Sequence, residues 1–272
     1  MIGAYDFKIY ESSVSGMKYD GNLLSFYTIE QAKNIFEYGH CLYTSSLAAQ
    51  KSGDPVHFPA DIEVHREDFA TQLSKFSLAL QVFINSKSLS FTPKEEIAIA
   101  ILQLHTLSNY VLLRLEQLPS TRSSWDTFMP QFEKMLILAD KIVSATSSSN
   151  DHGSKTITFC SDMGFIIPLY NMIMQCRDPM IRRKAIALLR STSRQEGLWN
   201  SLLIAKAAER IIEIEESEAE EMKACTDGPD WTRSSSTQPI LELDGRGGRL
   251  KYTRQGQGVN DQIAVVEEVF SW

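Results

Sequence analysis

The chain has 272 residues, 43% hydrophobic and 22% charged, with a formal net charge of −7. That is long enough to bury a sizeable core, as one large domain or two small ones, and ordinary for a soluble globular protein. The acidic balance argues against a free-standing nucleic-acid binder, and no unbroken apolar run approaches the ~20 residues that cross a membrane.

The opening MIGAYDFKIYESS has no basic start and no apolar h-region, so it does not read as a secretory signal. Residues 1–27 read as mostly irregular. Thr28 then opens a helix, with Gln31 three residues on completing a capping box. Ala32, Ile35, Phe36, Gly39, Tyr43 and Leu47 form its inward face, and Lys51-Ser52-Gly53-Asp54-Pro55 ends it. A second helix is predicted over Asp61–Asn85, with Ile62, Phe69, Leu73, Phe76, Leu80 and Phe83 at helical spacing. The third has the clearest start. Thr92 caps it, Pro93 takes its first position and Glu95 closes the box. Ile97, Ile101, Leu104, Ser108, Val111, Leu115 and Leu118 follow by fours and threes. Ile99, Leu107 and Leu112 widen that stripe beyond a coiled-coil seam, so a core helix is expected.

A fourth helix is predicted over Ser124–Ala145, with Trp125, Phe128, Phe132, Met135, Ala139 and Ile142 inward. A polar loop covers 144–154. Residues 158–175 read as a helix interrupted by Gly164 and kinked at Pro168. Two more helices follow, joined by the polar run Ser191–Gly197. The last third changes character. Residues 227–239 read as a linker, 240–254 as a β-hairpin around Asp244–Gly248, and Ile263–Phe270 as a third strand. The expected fold is mainly α: a multi-helix bundle of long antiparallel helices with a small C-terminal antiparallel β-hairpin or three-stranded sheet. The expected divisions are a helical domain at 1–226, a linker at 227–239, and a small β element at 240–272 packed on the helices, since so small a sheet is not stable alone.

The stretch from Cys176 to Glu216 is the most informative. Asp178 can cap the first of its helices and Pro179 sits at the first helical position. Ile181, Ala185, Leu188 and Leu189 make one apolar stripe, and Ile204, Ala207, Ala208, Ile211 and Ile214 make another. Arg177, Asp178, Pro179, Arg182, Arg183, Ala185, Leu188, Leu189, Gln195, Glu196, Gly197, Trp199, Glu209, Arg210, Ile211 and Glu213 together resemble the C-terminal region of fungal zinc-cluster transcription factors. The resemblance covers about 40 residues specifically and is a packing signature, in which Asp178, Pro179, Arg182, Arg183, Glu196, Gly197, Trp199 and Glu209 have structural roles. It implies a regulatory or dimerisation region acting in the nucleus. The six-cysteine zinc cluster and basic linker of that family are absent from this sequence, which implies no DNA binding by this chain itself.

Chemistry-bearing motifs are few. No nucleophile elbow, zinc-protease motif, P-loop or dinucleotide fingerprint occurs. Cys41, Cys160, Cys176 and Cys225 form no CxxC pair and read as reduced thiols of an intracellular protein. No metal or cofactor is expected. Asp61 and His65 share a helical spacing but lack a third ligand, and the glycines at 244–248 fit a hairpin better than a phosphate loop. His105 flanks the stripe of the third helix, as a core histidine or as a candidate acid/base residue. Arg182-Arg183-Lys184 is expected to pair with the acidic run 213–221.

Three functional expectations follow. The first is a transcription-factor-like regulatory domain binding a protein partner or a small apolar metabolite, with a candidate pocket at Phe76, Phe83, His105, Tyr110, Trp125 and Phe128. The second is a cofactor-free cyclase or isomerase of fungal secondary metabolism built on this scaffold, working in the cytoplasm. The third is a scaffold homodimer.

Overall fold

The computed structural model describes residues 24–52, 62–87, 90–118, 125–147, 158–160, 163–223, 238–240, 247–255 and 263–271. Residues 1–23 of the irregular start, Gly53-Asp54-Pro55 of the expected stop, Asp61 of the Asp61/His65 pair, most of the polar loop, residues 227–237 of the linker and the Asp244–Arg246 turn lie outside them. Lys51 and Ser52 are still helical, and residues 238–239 of the expected linker belong to a strand. The chain divides into two compact units, Met1–Leu113 and Arg114–Trp272.

The first unit holds α1 (Ile29–Ser52), α2 (Ile62–Lys87) and most of α3 (Pro93–Glu116). The α1 cap is a capping box displaced by one residue: Gln31 N–H donates to Thr28 Oγ1 at 3.1 Å, while Tyr27 N–H donates to Gln31 Oε1 at 2.9 Å. At α3 the box is regular. Thr92 N–H donates to Glu95 Oε2 at 2.8 Å and Glu95 N–H to Thr92 Oγ1 at 3.3 Å. The bonds that Thr92 donates to the carboxylate from its N–H and from its hydroxyl, the latter also at 2.8 Å, hold Glu95 below its ordinary range.

Helices α1 and α2 pack antiparallel through aromatic rings. Tyr43 stacks on Phe69 (4.6 Å between centroids) and Phe36 meets Phe76 (5.3 Å). Phe26, just before α1, reaches both Phe76 (5.7 Å) and Phe83 (5.4 Å). Ring on ring, these residues make a continuous core. Each buried aromatic contributes about 1.5–3 kcal/mol from burial, and each well-set pair about 0.5–1.5 kcal/mol more.

Over Pro93–Leu115, α3 is long and apolar enough by length and composition to cross a membrane. This corrects the reading from unbroken runs, because the polar residues are scattered thinly through the helix. More than half of its most apolar window is buried inside the protein. His105, Thr106, Ser108 and Asn109 are buried along it. Thr106 Oγ1 donates to Leu102 O at 2.7 Å and Asn109 Nδ2 to His105 O at 2.9 Å, so both side chains bond back to their own helix.

The second unit holds α4 (Met129–Ser147), β1 (Thr158–Cys160), α5 (Ile166–Gln175), α6 (Pro179–Ser191), β2 (Arg194–Glu196), β3 (Trp199–Asn200), α7 (Ser201–Lys223), β4 (Gln238–Ile240), β5 (Gly247–Gln255) and β6 (Ile263–Ser271). Two helices differ from expectation. Helix α4 starts at Met129, because Pro130 must stand in a first helical turn; Phe128 O accepts from Phe132 N–H at 3.0 Å there. The predicted helix over 158–175 is a strand, a break at Gly164 and a helix from Ile166. Pro168 falls in the first turn of α5, where its missing N–H costs no intrahelical bond, so no kink arises.

Strands β1, β2 and β3 form an unexpected small sheet, parallel between β1 and β2 and antiparallel between β2 and β3. The expected C-terminal sheet is present as β4-β5-β6, antiparallel throughout, with Leu250 opposite Glu268. Leu250 buries against Ile211 and Ile214 of α7. The unit's core is built from Phe132, Met135 and Ile142 of α4, Phe165, Leu169 and Ile173 at α5, Leu189 of α6, and Ile204 and Ile211 of α7.

Candidate functional site

The residues that carry the resemblance turn out to be joints. Asp178 caps α6, its Oδ1 accepting from Met180 N–H and Ile181 N–H, both at 2.8 Å, with Pro179 at the first position. Arg177 places its guanidinium over the Trp125 ring, 4.8 Å from the centroid. Glu196 is buried and caps a helix remote in sequence. Its Oε1 accepts from Phe165 N–H at 3.1 Å and its Oε2 from Ile166 N–H at 2.9 Å, at the start of α5. Arg194 Nε pairs with the same carboxylate at 2.6 Å. Gly197, with φ of 55°, turns β2 into β3 in a conformation that other L residues rarely adopt. Trp199 meets the Tyr170 ring of α5 at 6.0 Å.

Helices α6 and α7 lie antiparallel, bridged among the described residues by three ion pairs. Arg182 Nη1 meets Glu215 Oε2 at 2.6 Å, with both side chains over nine-tenths buried. Arg183 meets Glu216 at 2.5 Å, and Arg190 meets Glu209, both on the exposed face. The expected pairing of the arginines with the acidic run is therefore present for Arg182 and Arg183. The exposed pairs flank a groove of about 350 Å³, lined by Arg183, Ile186, Ala187 and Arg190 of α6 and by Glu209, Ile212, Glu213 and Glu216 of α7. Its floor is apolar and its rim charged. Burial raises the Glu209 carboxyl above its ordinary range against the pull of Arg190, with Glu213 adding to the rise.

The candidate pocket residues are distributed over both units. Phe76 and Phe83 stand in the ring core of the first. His105 is buried edge-on to Phe36, 6.0 Å between centroids, and Tyr110 is 37% exposed on the same helix. Trp125 and Phe128 belong to the second unit, the first under Arg177 and the second buried ahead of α4. His40, not singled out as an acid/base candidate, lies between Phe36 (6.0 Å) and Phe69 (6.2 Å). Burial lowers its pKa below the ordinary value of 6.5. Among the described residues no group of three or more His, Cys, Asp or Glu could hold a metal ion.

The groove was missed by sequence reasoning. Its signal was present as Arg183, Ala187 and Arg190 at spacings of four and three, facing Glu209, Glu213 and Glu216 at the same spacings.

A 118-residue stretch of the chain is 28% identical to the aspercryptin biosynthesis cluster-specific transcription regulator atnN of Emericella nidulans. This chain is a distant relative of a fungal transcription regulator. The similarity covers 42% of the chain and 18% of the regulator, so the chain spans less than a fifth of that relative's length. No family model matches the chain. No solved structure matches it either.

Proposed function

We propose that this chain is a regulatory domain of the kind found C-terminally in fungal zinc-cluster transcription factors. In this reading it works in the nucleus, in control of a secondary-metabolite gene cluster, through a protein partner and without DNA contacts of its own. The observation that carries the reading is the similarity to a cluster-specific regulator. The sequence signature at Arg177–Glu213 supports it, since its residues serve as caps, turns and interhelical pairs, the parts of a scaffold for presenting surfaces. The net charge of −7 supports the absence of DNA contacts, because such a field repels phosphate.

The test is a tethering assay. The full chain is fused to a heterologous DNA-binding module and assayed on a reporter gene in a filamentous fungus. The expected result is activation or repression relative to the module alone. A reporter unchanged in either direction, with the fusion present in the nucleus, would sink the reading.

A further inference from the structure

We infer that the groove between α6 and α7 is the docking site for a basic amphipathic helix of a partner protein. The inference rests on the regulatory reading for the existence of a partner, and on the groove for its chemistry. Ile186, Ala187 and Ile212 supply an apolar floor. The pairs Arg183–Glu216 and Arg190–Glu209 close its two ends and fix α6 against α7. At about 350 Å³ and open to solvent, the groove lies at the small end of the ~300–1,000 Å³ range of ligand clefts. A trough between two antiparallel helices suits a third helix, which enters side chains at i, i+3 and i+4 and leaves its far face wet.

The rim decides the sign of the partner's charge. The groove is lined by Arg183 and Arg190 against Glu209, Glu213 and Glu216, so carboxylates outnumber guanidiniums. Arg210 is set fork to fork on Glu268 of β6, at 2.6 Å (Nε to Oε2) and 2.8 Å (Nη2 to Oε1). Its third contact, Nη1 to Glu213 Oε2, is longer at 3.0 Å, and the Glu213 side chain is 63% exposed. Glu213 therefore offers an incompletely matched carboxylate at the middle of the rim, directly beside the apolar floor. A helix with an apolar residue for Ile186 and Ile212 and a lysine or arginine one turn away answers both features. An acidic helix meets repulsion from the same rim.

The test uses the full chain and a display library of helical peptides of about four turns. Enriched peptides are expected to combine apolar residues at i, i+3 or i+4 with an adjacent Lys or Arg. In fluorescence anisotropy their affinity should fall about tenfold in Ala187→Trp, which fills the groove from an exposed position, and about tenfold in Glu213→Lys, the size of one good interface contact. A peptide with its basic residue changed to Glu should lose binding to the wild type and regain it on Glu213→Lys. Failure to enrich any peptide would overturn the inference. So would enrichment of acidic or uncharged sequences, binders indifferent to Ala187→Trp, or self-association of the chain that Ala187→Trp abolishes. The tethered reporter separates the two readings. A reporter kept active by Ala187→Trp overturns the groove and spares the regulatory domain, whereas peptide binding with a silent wild-type reporter does the reverse.

Discussion

A Cβ placed on Gly164 would stand 1.8 Å from Oε1 of Glu196. The glycine is therefore the space in which a buried carboxylate reaches the start of α5. Gly164→Ala should displace that carboxylate from Phe165 N–H, Ile166 N–H and Arg194, and destabilise the second unit by about 2–4 kcal/mol. All four tryptophans lie after residue 113, so urea unfolding followed by tryptophan emission reads this unit. In a Glu196→Ala background the same substitution should cost less than about 1 kcal/mol, because the clash is gone. Additive costs in that double-mutant cycle would contradict the relationship.

The Asp178 cap should behave as a local device. Asp178→Ala should lower stability by about 1 kcal/mol, and Asp178→Asn by only a fraction of that, since the amide oxygen can still accept from Met180 N–H and Ile181 N–H. Equal losses for the two variants would mean that the charge, acting on the helix dipole, outweighs the hydrogen bonds.

The buried and exposed rungs between α6 and α7 should differ sharply. Arg182→Met leaves Glu215 without that partner in a buried setting and should cost about 3–5 kcal/mol, with much of it recovered in the double variant Arg182→Met/Glu215→Leu. Arg190→Ala breaks a pair with an exposed arginine and should change stability by less than about 1 kcal/mol. Similar unfolding midpoints for Arg182→Met and Arg190→Ala would argue against the burial assigned to the first pair.

His40 gives the first unit a dependence on pH. Its folded pKa is lowered by burial, so between that value and 6.5 the unfolded chain binds the proton and the folded chain does not. Stability therefore falls as pH is lowered through 6.5 and is retained above it. Hydrogen exchange in α1 and α2, compared at pH 7.5 and on acidification below pH 6.5, should show faster opening at the lower pH after correction for intrinsic rates. His40→Gln should flatten that difference, and a variant as pH-sensitive as the wild type would point to another group.

The helices were legible because their determinants are local. Thr92, Pro93 and Glu95 lie within one turn, and so do Asp178 and Pro179, so spacing and caps suffice to locate α3 and α6. The sheet β1-β2-β3 was not legible. Thr158 finds its partner at Arg194, and three-residue strands have no periodicity to read. Glu196 likewise acts on Phe165 and Ile166, about thirty residues back. Aromatic spacing on α2 fixed which rings point inward but not what they meet. Phe76 and Phe83 both pack on Phe26, a residue outside any helix. The groove required the register of α6 on α7, which Arg183 and Glu216 establish across thirty-three positions of sequence.

The divided attention of Arg210 has a consequence for the C-terminal strands. One guanidinium serves Glu268 on β6 through Nε and Nη2 and Glu213 on α7 through Nη1. The same side chain therefore ties the last strand to the helix that carries it, and replacing it would strip both carboxylates of that partner at once.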